Sequence, residues 1–264
     1  MGHATSALHY RRCALAGPIP CHDPPTPTSA AMERVPEPEL MDEPHQALAY
    51  AEADFAASDQ AFTDWVLELL ASPPPNPAPR VLDLGCGPGN ITFRLAAALP
   101  RSPVLGLDGA ASMLALAERT RQALPAGSPH PRFHLATLPL PPGALPLPPA
   151  PFAPPYDVLV SNSLLHHLHD PAVLWSTVRQ LAAPGALVVV RDLRRPPHPE
   201  ALRALVARHA ADAPPVLRRD YANSLAAAFL PQEVTAQLEE AGLSTLRVAP
   251  VEDRYLDVWG RLPA

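Results

Sequence analysis

Two short stretches hold most of the residues able to do chemistry. In VLDLGCGPGN, residues 81–90, an aspartate sits inside an aliphatic run that stops at Gly85, Gly87 and Gly89. Glycine tolerates positive φ and lets a ligand approach the backbone, so a strand, glycine turn and helix in this order suit a phosphate or a nucleoside. In SNSLLHHLHDP, residues 161–171, Asn162 and Ser163 precede His166, His167 and His169. Imidazole either carries a proton near neutral pH or ligates a metal. The histidine spacing matches neither HxHxDH nor HExxH, and adjacent histidines on a short turn point apart, so no metal is expected. His167 is the candidate general base. A structural role, in which the histidines cap the helix opening at Asp170 and pack against the first helix, stands beside it.

The glycine turn separates three ligand classes. A phosphate loop needs GxxxxGK[ST], and a chain without lysine cannot supply it. Dinucleotide binding needs GxGxxG, whose third glycine packs helix against strand. Here the spacing is GxGxG, with Asn90 in the sixth position.

Both stretches require strands behind them. Strand-like runs at Arg80–Leu84, Pro103–Leu107, Arg132–Leu135, Tyr156–Val160 and Leu187–Arg191 alternate with helical spacing at Asn90–Leu99, Ala111–Leu124 and Asp170–Ala182. The last of these helices opens with an aspartate cap followed by Pro171. Such alternation builds βαβ units and a mainly parallel sheet, so the fold is α/β. Residues 44–70 are helical, with Phe62, Val66, Leu69 and Leu70 on one face, and His198–Ala210 and Pro231–Ala241 are helical further on. Two closing runs, STLRVAPV and RYLDVWGRL, are joined by too few residues for a parallel crossover and must pair antiparallel.

At 264 residues with 47% hydrophobic and 17% charged content, the chain can bury a large core. Its 38 prolines are unevenly placed. Residues 1–43 lack periodicity and are broken by prolines, which marks a disordered N-terminal arm, with the folded domain at 44–264. Arg11 and Arg12, with no acid in the first 22 residues, have the charge of a targeting peptide, but no continuous apolar segment accompanies them. Translation from Met32 or Met41 is an alternative reading of the same arm. A second proline-rich segment, residues 138–155, is an extended insertion or a docking site for a proline-reading module. The net charge of −6 with mixed signs argues against nucleic acid. Three cysteines in no paired or zinc spacing suit a reducing compartment, and no apolar run is long enough for a membrane span. A cytoplasmic protein is expected.

The sequence from about Tyr50 onward resembles the class I S-adenosylmethionine-dependent methyltransferases of the small-molecule type. DLGCGPG is similar to their [DE]xGxGxG turn, VLGLDGAASMLALA to the second strand with its terminal acid, YDVLVSNSLLHHLHDP to the fourth strand and loop, and LAAPGALVVV to the approach to the fifth, with Ala186 where a glycine is common. The resemblance implies a Rossmann-like, seven-stranded, mostly parallel sheet with helices on both faces and an antiparallel C-terminal strand.

It further implies S-adenosyl-L-methionine as cofactor. Asp83 would organise the glycine loop and hold the ammonium group. Gly85, Cys86 and Gly87 would lie against the methionine moiety. Asp108 would accept the ribose hydroxyls, and it could equally cap the helix from Ala111. Gly109 and Met113 would flank the adenosine. Family members often carry an acid after the third strand, where this chain has Ala136 and Thr137, so Thr137 or the backbone at Leu138 would meet the adenine. Asn162 would sit beside the cofactor.

In-line transfer of a methyl group needs mainly alignment. The expected function is methylation of a small-molecule acceptor, oxygen being favoured over nitrogen or carbon. A nicotinamide-dependent oxidoreductase and a non-catalytic cofactor-binding regulator are the alternatives. Acceptor choice is expected in the helix around Tyr50–Trp65, the loop DLRRPPHP and the stretch RRDYANSLAAAF. Arg194, Arg195, Arg218 and Arg219 are either carboxylate receptors there or solvated surface groups. Asp220 and Ser224 have the spacing of a capped helix start.

Overall fold

The computed structural model describes residues 32–37, 42–71, 76–140 and 147–264. Most of the expected N-terminal arm, residues 1–31 and 38–41, lies outside the described residues, as do residues 141–146 of the proline-rich segment.

A seven-stranded sheet runs in the order β3-β2-β1-β4-β5-β7-β6. Its strands are β1 (Val81–Leu84), β2 (Val104–Asp108), β3 (Arg132–Leu135), β4 (Tyr156–Asn162), β5 (Ala182–Leu193), β6 (Arg247–Val251) and β7 (Tyr255–Arg261). Strands β1 to β5 pair in parallel. β7 lies antiparallel between β5 and β6, as the short link between the closing runs requires. The helices are α1 (Pro44–Glu52), α2 (Ala56–Leu70), α3 (Asn90–Ala98), α4 (Ala111–Gln122), α5 (Ala172–Leu181), α6 (Pro199–His209), α7 (Pro215–Ala227) and α8 (Pro231–Glu240). No helix among the described residues is long and apolar enough to cross a membrane.

Alternation along the strands sends side chains to two separate cores. Leu82, Leu84, Leu105, Leu107 and Leu159 face α5 and α8 through Trp175, Val178, Val234 and Leu238. Val81, Val104, Val158 and Val189 face α2 and α3 through Phe62, Val66, Ile91 and Leu95. Each fully buried aliphatic side chain of this kind contributes about 1.5–3 kcal/mol. A third, smaller cluster joins α6 and α7 through Leu205 and Leu225 to Leu193 at the tip of β5.

β1 sits where the strand order reverses, with β2 on one side and β4 on the other. In open α/β sheets this switch point leaves a crevice outside the carboxyl ends of the strands. The glycine turn after β1 and the histidine turn after β4 therefore meet at one place. Ser161 Oγ fastens the two strands there by donating to the Leu84 carbonyl at 2.9 Å.

Residues 32–37, placed in the loose arm by composition, pack on the domain. Met32 and Val35 donate their amides to the carbonyls of Pro197 and Ala226 at 3.1 and 3.0 Å. The Arg34 guanidinium donates to the carbonyls of Ala227 at 2.6 Å, His166 at 3.1 Å and Leu168 at 2.8 Å, and lies 3.9 Å from the Phe229 ring centroid. Periodicity could not reveal this, because the segment contributes bonds and charge instead of an apolar face.

Candidate active site

All three glycines of the turn are left-handed, with φ of 69° at Gly85, 53° at Gly87 and 90° at Gly89. The turn hangs from β2, since the amides of Gly85 and Cys86 donate to the Leu107 carbonyl at 2.8 and 3.1 Å. A Cβ on Gly85 would stand 2.8 Å from the Leu164 side chain, and one on Gly89 would stand 2.9 Å from Phe93 and Phe133. A Cβ on Gly87 would meet nothing within 4 Å. Two glycines thus answer packing, and the third opens the backbone toward a ligand.

Asp83 is buried, 1% exposed, on the α3 face of β1, where it accepts from the Thr92 hydroxyl at 2.6 Å. Burial pushes its carboxyl up to about 7 against that hydrogen bond, with the nearby carboxylates of Asp108 and Asp59 adding to the rise. Asp108 closes β2. Its Oδ2 accepts the Gly87 amide at 2.7 Å and its Oδ1 the Ala110 amide at 2.8 Å, so it braces the glycine turn and the residue before α4, and does not cap the helix from Ala111. Burial raises its carboxyl as well, and the backbone donors pull the other way.

These groups line a cavity of about 750 Å³, within the range of ligand pockets. Asp83, Gly85, Cys86, Gly87, Asp108, Gly109, Met113, Thr137, Leu138, Asn162 and His167, all singled out in the sequence, lie on its wall. The fit to a nucleoside rests on the bare backbone at Gly87, the buried carboxylates at either side of it and the free volume beyond. The Cys86 thiol is buried and burial holds it well above its ordinary range, so it is no nucleophile.

The opposite wall comes from the end of α1, the start of α2, α7 and the β6–β7 turn, through Tyr50, Phe55, Leu217, Tyr221 and Arg254. α1 and the α2 start match the expected acceptor region, and α7 supplies the RRDYANSLAAAF part of it. Of the loop 192–199, only Leu193 reaches the wall. None of Arg194, Arg195, Arg218 or Arg219 does. Arg195 is buried and bonds the Ala228 carbonyl at 2.9 Å and Glu233, while Arg218 and Arg219 bond carbonyls of the preceding loop and Asp220. The guanidinium groups that do line the cavity are Arg191 and Arg254. Arg191 is clasped in two parallel bonds of 2.7 Å by Asp257, whereas Arg254 lies over the Tyr255 ring with its Nε buried and without a hydrogen-bond partner among the described residues.

Asp220 and Ser224 do not start a helix. α7 begins at Pro215, a residue preorganised for the first turn, and both side chains lie buried within it. Asp220 accepts from Gln46 of α1 at 2.8 Å, and Ser224 donates to Glu37 at 2.9 Å. The sequence offered no sign of either partner.

After β4, Ser163 takes a left-handed φ of 62° and the chain enters a single 3-10 turn, Leu165–His167. His166 is 3% exposed, and its Nδ1 lies 2.6 Å from Asp192 Oδ1. Burial lowers its pKa, but the neighbouring carboxylates of Asp192 and Glu37 prevail and hold it above the ordinary histidine value. His167 stacks on it, with ring centroids 4.2 Å apart. Glu37 Oε1 lies 3.5 Å from His166 Nε2 and 3.3 Å from His167 Nδ1. Burial raises the Glu37 carboxyl, with His166 acting against it. Glu37, from the N-terminal segment, thus brings a carboxylate to both histidines. The histidines do not cap α5, which Asp170 does instead by accepting the Ala172 amide at 3.0 Å.

A doubly wound sheet with a GxGxG turn and an acid at the tip of the next strand defines a class I methyltransferase architecture. Residues 82–188 match the family described as "Methyltransferase domain". Those residues form a methyltransferase domain set in a class I fold. The chain is 36% identical over 134 residues to a trans-aconitate 2-methyltransferase of Methylobacterium nodulans, covering 50% of this chain and 46% of that one. It is 32% identical over 154 residues to the enzyme of the same name from Rhizobium meliloti, covering 57% and 54%. The chain spans about half the length of these relatives. Among solved structures, the plantazolicin methyltransferase BpumL in complex with SAH superposes with a TM-score of 0.63 at 12% identity, covering 84% of this chain and 91% of that one. A SAM-dependent methyltransferase from Aquifex aeolicus superposes at 0.54 with 17% identity, covering 83% and 98%. Both share the fold.

Proposed function

We propose that the protein moves the methyl group of S-adenosylmethionine onto an oxygen of a small carboxylic acid. One observation carries this reading: the open backbone of Gly87, buried Asp83 and the braced carboxylate of Asp108 all face one cavity with room for a nucleoside and a second small molecule. When bound, the cofactor supplies a methyl group already activated on a sulfonium.

Each residue then has a holding task. Asp83 attracts the ammonium group, and Gly85 to Gly87 lie along the amino-acid portion. Asp108 offers its remaining lone pairs to the ribose hydroxyls. Gly109 and Met113 flank the adenosine, and Thr137 and Leu138 meet the adenine edge. Arg254, which lines the cavity, receives an acceptor carboxylate. Fixing the acceptor oxygen, the methyl carbon and the sulfur in line is worth up to ~7–11 kcal/mol. A carboxylate oxygen is already ionised at neutral pH, so such an acceptor needs no general base. That leaves His167 without the proton-accepting task expected from the sequence. The acid acceptor is also what the names of the trans-aconitate relatives suggest.

The test is calorimetric binding of S-adenosylmethionine and S-adenosylhomocysteine, followed by an acceptor panel of small di- and tricarboxylic acids, phenols and amines read by mass for gain of one methyl. Binding of both nucleosides with ester formation on an acid supports the reading. A folded protein that ignores both nucleosides refutes it, and methylation confined to amines refutes the oxygen assignment.

A further inference from the structure

We propose that Glu37, His166 and His167 form a three-ligand site for a divalent transition-metal ion of the zinc type, open on its fourth side to the cavity. Glu37 Oε1 is 3.5 Å from His166 Nε2 and 3.3 Å from His167 Nδ1, and all three ligand atoms lie within 4.8 Å of one another. Those two separations exceed an ordinary N–H···O bond of about 2.7–3.2 Å. They agree with two donors held ~2.1 Å from one ion at a tetrahedral angle, which stand ~3.4 Å apart.

The tautomer points the same way. Asp192, 1% exposed, accepts the amides of Leu165 at 2.6 Å and Leu193 at 2.7 Å and stands 2.6 Å from His166 Nδ1 as the acceptor of its proton. A neutral His166 then presents the lone pair of Nε2 to a carboxylate, an arrangement that requires a cation between them. Either a proton or a metal ion meets that need. A carboxylate bound to the far nitrogen of a ligating histidine is the usual support of a metal ligand. Two imidazoles and one carboxylate with an open position are the donor set of catalytic zinc sites. Glu37 is held in place by the Ser224 hydroxyl at 2.9 Å, and its segment is anchored by Arg34.

His166 and His167 both line the cavity, so the open position faces the space for the acceptor. There the ion would hold one carboxylate oxygen of the substrate as a fixed positive charge. This last step rests on the acid-acceptor reading, whereas metal binding itself does not.

The experiment is titration of metal-stripped, full-chain protein with Zn²⁺ against a chromophoric chelator, without nucleoside or acceptor. One equivalent should bind, with affinity falling at least tenfold in Glu37→Gln and in His167→Gln and unchanged in His130→Gln, an exposed histidine elsewhere. X-ray absorption on zinc-loaded wild type counts imidazole ligands independently of whether the variants fold. Two imidazoles support the site. Absence of a stoichiometric site, one or no imidazole, or equal affinity in folded Glu37→Gln and His167→Gln proteins would overturn it and leave the His166 proton as the cation. S-adenosylhomocysteine binding is measured separately: its loss alongside intact zinc binding would refute the methyltransferase reading and not the metal site.

Discussion

The Asp108 carboxylate holds the Gly87 amide at 2.7 Å, so the tip of β2 fixes the conformation of the turn after β1. Asp108→Ala removes that acceptor, leaves the Ala110 amide before α4 without its partner, and deletes the proposed ribose contact. Hydrogen bonds to a charged group contribute about 1.5–3 kcal/mol each, so nucleoside affinity should fall at least ~100-fold. Calorimetry on Asp108→Ala, beside a urea unfolding curve that separates misfolding from lost binding, checks this. Unchanged affinity would remove Asp108 from the ribose site.

The glycines of the turn should divide by phenotype. Gly89→Ala forces a methyl 2.9 Å from two phenylalanine rings at a φ of 90°, and its melting temperature should drop sharply. Gly87→Ala has open space and bears only the left-handed backbone cost of ~1–2 kcal/mol, yet its methyl enters the ligand's space. Thermal unfolding paired with S-adenosylhomocysteine titration should show a stability defect in the first and a binding defect in the second.

With Asp83 in the proposed ammonium site, cofactor binding should depend on pH. The Asp83 carboxyl titrates near 7 when the site is empty, and a bound ammonium group favours the ionised form. Affinity should therefore level off above about pH 7 and weaken by up to ~10-fold per unit below it, with protons released on binding. Calorimetry in buffers of different ionisation enthalpy reads that release. In the empty protein the sign reverses for stability. A carboxyl raised from 3.8 favours folding most at low pH, and that contribution is lost as pH rises toward 7. Asp83→Asn should flatten both dependences.

Arg34→Ala strips three backbone carbonyls of a cationic donor and removes the ring contact with Phe229. Stability should fall by about 2 kcal/mol, with Arg34→Lys intermediate because a compact ammonium lacks the wide planar fork that reaches separated carbonyls. Urea midpoints measure the loss, and amide exchange at residues 32–37 should rise first.

Much of the sheet was legible because aliphatic runs broken by glycine and proline are what a buried parallel strand demands. Arg132–Leu135 agrees with β3 at both ends, and the antiparallel pairing of β6 with β7 followed from the shortness of their link. β5 runs longer than expected, from Ala182, since the Pro184–Gly185 stretch interrupts the aliphatic pattern without ending the strand. Within the site, the glycine turn was readable from spacing, and the strand-end residues that line the cavity were implied by the resemblance. Glu37, Asp192 and Arg254 were not. Glu37 and Asp192 meet partners far along the chain, which no local periodicity records, and Arg254 sits in a turn that only the fold brings to the cavity. Asp220 misled for the same reason: its partner is Gln46, 174 residues away.

Leu164 stands where a Cβ on Gly85 would fall, so the glycine turn and the histidine turn touch with nothing between them. In the proposed methyl transfer, donor and acceptor would consequently share a single enclosure, and no side chain would ferry the methyl group across a gap. On that reading a ternary complex assembles before any product leaves. Initial-rate plots against one substrate at several levels of the other should then intersect, where a methylated-enzyme intermediate would make them parallel.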